Sequence, residues 1–241
     1  MSKINEKDFI ETYEKAYFKG NSKPDGIPKL NQTSCETEKN IESLLKRDKY
    51  ELKDLIYIVG WKAGTLDENT GKPREYNGNY VNGYGKPIEE KALNMYLEKF
   101  TTTTAKVQEI RQKIENKNTL PPDVYEDMLQ DVPTNFGCVY ILNLLSFISK
   151  GEMPIYDQFA HRAVKALFIS TYLTKDDPNT NPYKIKPDQI FIGAAPSKTD
   201  TKTVIKMYNE YLWLLNIVFG QKNICRCLDR ALWVYGHYKN P

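Results

Sequence analysis

Residues 133–167 read PTNFGCVYILNLLSFISKGEMPIYDQFAHRAVKAL, and their reading decides the fold. Pro133 cannot continue a helix that precedes it. Asn135 and Gly137 tolerate positive φ at the lowest cost, so the chain can reverse within a few residues. The next helix runs from about Cys138 to Lys150. It is apolar on nearly every side through Val139, Ile141, Leu142, Leu144, Leu145, Phe147 and Ile148, the pattern of a centrally buried helix. Ahead of the turn, residues 121–132 read as a short helix. Pro121 and Pro122 suit its first turn, and Val124, Met128, Leu129 and Val132 supply its apolar positions. The stretch therefore predicts helix, tight turn, core helix.

Such a turn leaves backbone N–H groups at the start of the second helix. That end is electropositive and suits a phosphate. An Asn-x-Gly turn between helices also reads as a turn and nothing more. Downstream, Gly151 stops the core helix and Pro154 forces an extended approach, which puts Asp157 at the N-cap of a further helix. Phe159, Ala160, Ala163, Val164, Ala166 and Leu167 form that helix's apolar side, and His161, Arg162 and Lys165 are its polar members. As a cap, Asp157 is worth about 1 kcal/mol. A carboxylate held by N–H groups also stays ionised, so capping and catalysis are compatible.

Working outward, apolar residues recur at helical spacing over 4–19, 36–49, 51–63, 88–116, 200–219 and 223–238, with a weak break at the threonine tract 101–104. No alternating strand pattern persists. The expected fold class is all-α: one globular unit over 1–241, built as two helical lobes with a helix-hairpin-helix element and a cleft between the lobes. Residues 121–173 carry the hairpin and the site-bearing helices, 174–198 a linker or insertion, and 199–241 the C-terminal helices. Residues 21–34 read as a loop. Residues 65–87, with Asn77-Gly78-Asn79-Tyr80-Val81-Asn82-Gly83-Tyr84-Gly85, read as a mobile loop whose tyrosines stack on a base or dock onto the body.

Composition sets outer bounds. A chain of 241 residues, 40% hydrophobic and 27% charged, is an ordinary soluble globular protein with ample core. No apolar run approaches the ~18 residues of a membrane span, and the first residues carry no signal-peptide core. The expectation is a cytoplasmic protein with no membrane partner. The four cysteines lack paired spacing and read as reduced thiols. Two distant histidines and a Cys225-x-Cys227 pair on two faces of one helix make no metal site. There is no nucleophile elbow, phosphate-binding loop or dinucleotide fingerprint, so no cofactor is expected. A net charge of +3 is mild, and a nucleic-acid partner would rely on a local basic patch.

Residues 121–173, covering 53 of the 241 residues, resemble the helix-hairpin-helix superfamily of DNA glycosylases. That family carries a Leu-Pro-Gly-Val-Gly type hairpin, an apolar helix, and an aspartate about twenty residues past the hairpin's last glycine. Here Asp157 lies 157 − 137 = 20 residues past Gly137, and Arg162 stands five further on, where the family often has arginine. Phe136 matches the apolar residue before the final glycine, and Asn135 replaces the first glycine. Val139 stands where the bifunctional members place their Schiff-base lysine, and the cysteine spacing excludes the iron–sulfur cluster of some members. The resemblance implies a monofunctional hydrolase of DNA repair that cleaves the N-glycosidic bond of a flipped base. Pro133, Thr134, Asn135, Phe136 and Gly137 would dock the DNA backbone. Asp157 would be the catalytic carboxylate, and Tyr156, His161 and Arg162 would line the pocket. The other reading is a non-catalytic all-α module on the same scaffold that binds DNA or a protein partner.

Overall fold

The computed structural model describes residues 4–18, 33–101, 105–173, 181–221 and 223–238. Most of the expected loop at 21–34, the break at 102–104 and the first part of the expected linker lie outside the described residues. The described residues form ten helices: α1 (Glu6–Tyr13), α2 (Cys35–Leu45), α3 (Leu52–Ala63), α4 (Glu90–Glu98), α5 (Ala105–Ile114), α6 (Pro122–Leu129), α7 (Cys138–Ile148), α8 (Gln158–Tyr172), α9 (Thr201–Phe219) and α10 (Arg226–Tyr238). Packing groups the chain into two compact units. One takes residues 36–155 and 196–205; the other takes 1–35, 156–195 and 206–241. The change of unit after Ile155 falls inside the stretch that resembles the glycosylases.

In the first of these units α7 is the core helix, and only Val139 and Tyr140 are less than fully buried. Its two buried polar side chains bond back to their own helix. Asn143 Nδ2 donates to the Val139 carbonyl at 2.7 Å and Ser146 Oγ to the Leu142 carbonyl at 3.1 Å. Neither leaves a donor orphaned, and an orphaned donor at such depth would be costly. The last carbonyls of α7 are also supplied: the Tyr50 hydroxyl donates to Phe147 at 2.7 Å and Arg111 Nε to Ile148 at 2.7 Å. The helix ends in a Schellman arrangement. Lys150 N–H reaches the Phe147 carbonyl and Gly151 N–H the Ser146 carbonyl, with φ of 57° at Lys150.

This unit corrects the all-α expectation. The segment expected to be a mobile loop holds five short strands: β1 (Leu66–Asp67), β2 (Lys72–Pro73), β3 (Glu75–Tyr76), β4 (Asn79–Val81) and β5 (Pro87–Glu89). They pair antiparallel as β1–β2 and β3–β4–β5. The described residues are mostly helical with two small sheets. The strands are two or three residues long, too short for an alternating pattern to register. Their turns were the readable part. Asn77 and Gly78 have φ of 50° and 73°, the conformation a two-residue hairpin requires. Tyr80 is buried, whereas Tyr76 and Tyr84 stay exposed.

The other unit packs α8 against α10 and α1 against α10. Gly236 lets the backbones of α8 and α10 meet, because any Cβ there would overlap the carbonyl of Phe159. A 3₁₀ turn (Glu14–Tyr17) is tied to α10 by the Arg230–Glu14 ion pair and a hydrogen bond from Arg226 to the Tyr17 hydroxyl, and Arg226 also pairs with Asp229 within α10. A second correction lies here. Cys225 and Cys227 are joined in a disulfide instead of being reduced thiols. Helix α10 starts only at Arg226, so the two cysteines straddle its start and their Cα atoms lie 5.4 Å apart, rather than on two faces of one helix.

Candidate functional site

The hairpin belongs to the α7 unit. Asn135 takes the positive φ, 63°, while Gly137 sits at φ −79° and ψ 171° as the N-cap of α7. The reversal thus falls on asparagine, and the glycine is extended with open space where a Cβ would point. Asn135 Nδ2 donates to the Pro87 carbonyl at 2.7 Å, and the Asn135 carbonyl accepts from Asn82 Nδ2 at 3.0 Å. Phe136 is fully buried against Tyr96 and Tyr140. Pro133 is buried, Thr134 is exposed, and the Pro133 carbonyl accepts from the Phe136 amide. That carbonyl also accepts from Lys198 Nζ at 2.6 Å. Among the described residues, the N–H groups of Thr134, Asn135 and Gly137 have no hydrogen-bond partner. Unpartnered amides beside a lysine ammonium are the donors that an anion would need. Lys198 was missed in the sequence, since 65 residues separate it from Pro133.

Asp157 belongs to the other unit. It is half-buried and extended (φ −140°, ψ 138°), and its Oδ1 accepts from the Phe159 amide at 2.8 Å. Capping is therefore established at this position. Helix α8 then carries its polar members inward. His161 is 1% exposed and bonded at both ring nitrogens: Nε2 lies 3.1 Å from Glu210 Oε1, and Nδ1 lies 3.1 Å from the hydroxyl of buried Tyr156. A carboxylate only accepts, so Nε2 carries the proton and the Tyr156 hydroxyl donates to Nδ1. Lys165 Nζ completes the chain at 3.0 Å from the same Glu210 oxygen. Burial holds the His161 imidazole below its ordinary pKa, so it is neutral at pH 7. Burial alone would raise the Glu210 carboxyl, but the bonds from His161 and Lys165 outweigh it and hold the group below the usual range. The sequence did not single out Glu210, which stands 49 residues from His161.

Around Asp157 two further groups are incompletely satisfied. Among the described residues the buried Tyr211 hydroxyl has no hydrogen-bond partner; burial pushes its pKa well up, and the neighbouring Asp229, Tyr208 and Asp157 push it further. Arg162 is 8% exposed, and its Nε and Nη1 have no partner among the described residues. Its guanidinium lies between two rings, with Cζ 5.2 Å from the Phe159 centroid and 5.5 Å from that of Phe191. His237 stacks on the other side of this corner, 3.4 Å from Phe159 between centroids, with Nδ1 donating to the Trp233 carbonyl. Burial first, and then the Arg162 charge, hold its imidazole below the ordinary pKa.

Comparison with protein-family models, curated proteins and solved structures gives no match. Among the described residues, no helix is long and apolar enough to cross a membrane.

Proposed function

We propose that this chain binds DNA through the hairpin at 133–137 and hydrolyses an N-glycosidic bond with Asp157, as a monofunctional DNA glycosylase. The observation that carries the proposal is the placement of Asp157: a half-buried carboxylate at the N-terminus of a fifteen-residue helix, with one oxygen on the Phe159 amide. A carboxylate so held keeps a fixed direction and its charge. It suits stabilisation of the positive charge that develops on the sugar as the base departs. The three unpartnered hairpin amides and Lys198 support docking of a phosphate backbone without base readout. Val139 offers no amine in the family's lysine position, so the reaction ends with an intact abasic strand.

A second reading has its own observation. Phe136, the Asn135 side-chain amide nitrogen and the Asn135 backbone carbonyl are committed to the fold of their own unit. A hairpin so engaged also serves purely as a brace, and the chain would then be a non-catalytic binding module.

The test is duplex binding measured against salt concentration. If the hairpin takes phosphates, affinity falls steeply and log-linearly as salt rises, and sequence changes in the duplex matter little. No binding at low salt would remove the nucleic-acid reading.

A further inference from the structure

Arg162 is a buried cation whose placement neither capping nor packing explains. A guanidinium is always charged and carries five N–H donors. Burying it without a counter-charge is among the least favourable arrangements in a protein interior. Buried polar atoms are nearly always bonded, and an exception calls for a missing partner. Here Nε and Nη1 are both shut from solvent and unbonded, and among the described residues no carboxylate lies within ion-pair distance of the group. His237, which feels the Arg162 charge, is neutral at pH 7 and offers no negative charge. Among the described residues, the contacts on the guanidinium are aromatic, from Phe159 and Phe191.

The two rings differ in kind. Phe159 is fixed in the first turn of α8 and packed by Trp233 and His237. Phe191 belongs to a stretch without helix or strand and is 56% exposed, a large apolar ring resting over a charged group. Cores do not need such a residue there, and a cover for an otherwise unpaired cation does.

We propose that Arg162 is an oxyanion site that takes a phosphate group, with Phe191 covering it in the unliganded protein and offering its exposed face to an attached base. Guanidinium geometry matches phosphate oxygens. An aromatic face beside a phosphate-binding arginine is the arrangement by which proteins hold single nucleotides without reading sequence. The nucleic-acid source of the phosphate rests on the proposed function; the oxyanion site does not.

The test follows the arginine Nε–H groups of the full chain in proton–nitrogen correlation spectra, with Arg162→Lys identifying the Arg162 signal by its loss. Inorganic phosphate should shift that signal saturably, and chloride at equal ionic strength should not. Trithymidylate should saturate it at about one-fifth the concentration or less, since stacking adds to the phosphate contact. Phe191→Ala should remove that advantage while leaving the response to inorganic phosphate in place. No saturable phosphate shift at Arg162 overturns the site. A phosphate response with no trithymidylate advantage keeps the oxyanion site and overturns the nucleic-acid source. Base release by the wild type is read in a separate assay, so this site can fail while the catalytic reading stands.

Discussion

Replacing Glu210 with alanine probes the buried chain from Tyr156 to Lys165. The substitution removes the single oxygen that accepts from both His161 Nε2 and Lys165 Nζ. Removing one partner from a buried ion pair costs about 3–5 kcal/mol, because the other charge stays behind. The side chains of Lys165 and Glu210 are 10% and 15% exposed, so the freed ammonium has a short route to water and the expected loss is about 2–4 kcal/mol. Urea unfolding followed by circular dichroism and by tryptophan fluorescence measures it, with Trp213 three residues along α9 as a local reporter. Lys165→Met on the Glu210→Ala background should restore about 1–2 kcal/mol by removing the stranded charge. A loss below about 1 kcal/mol, or no coupling between the two substitutions, would refute the network. The same groups set a pH dependence. His161 and Glu210 both have folded pKa values below their unfolded ones, so each binds protons more readily when unfolded. The share of stability due to His161 is full above about pH 6.5 and is lost as pH falls below it; that of Glu210 follows below about pH 4.3. Stability that rises on acidification from pH 7 to 5 would contradict this.

Gly236→Ala should destabilise the unit built on α8 and α10 by about 1–3 kcal/mol or more, because the added methyl meets the Phe159 carbonyl; thermal unfolding reads it. Gly137→Val should stay within about 1 kcal/mol of wild type, since the backbone there is extended and the Cβ enters open space. That variant therefore isolates hairpin function, and a fall in duplex affinity without loss of stability would place the interface there. Asn135→Ala should cost about 2 kcal/mol from left-handed strain and the lost bond to Pro87, measured by the same unfolding assay.

Much of the helical frame was legible. The apolar run of α7 marks a buried helix, and Pro154 followed by Asp157 announces the start of α8. What was not legible has physical causes. The five strands are too short to carry a period, and only their Asn and Gly turns left a mark. Asn135 and Gly137 both suited a reversal, and composition could not assign which would turn; the side-chain bond from Asn135 to Pro87, 48 residues away, favours asparagine. Glu210 lies among Tyr208, Tyr211 and Leu214 on a helix whose apolar face reads as ordinary core, and its partners sit on another helix. Asp157 was placed correctly as a cap, but its neighbours Tyr211 and His237 come from α9 and α10 and left no local spacing to read. Residues meeting across long separations were the ones that sequence spacing could not supply.

The central claim is that Asp157 performs chemistry in addition to capping α8. The direct measurement is base release from a panel of duplexes bearing damaged or mismatched bases, comparing wild type with Asp157→Asn. Asparagine still accepts the Phe159 amide, so the helix and most of the duplex affinity should survive. It lacks the negative charge that the oxocarbenium-like state requires, so the rate should fall by at least about a hundredfold. Wild type should leave an intact abasic strand that alkali cleaves, and borohydride should trap no adduct. A folded Asp157→Asn variant that releases base as fast as wild type, or a wild type that releases none from any duplex, would leave Asp157 as a helix cap alone.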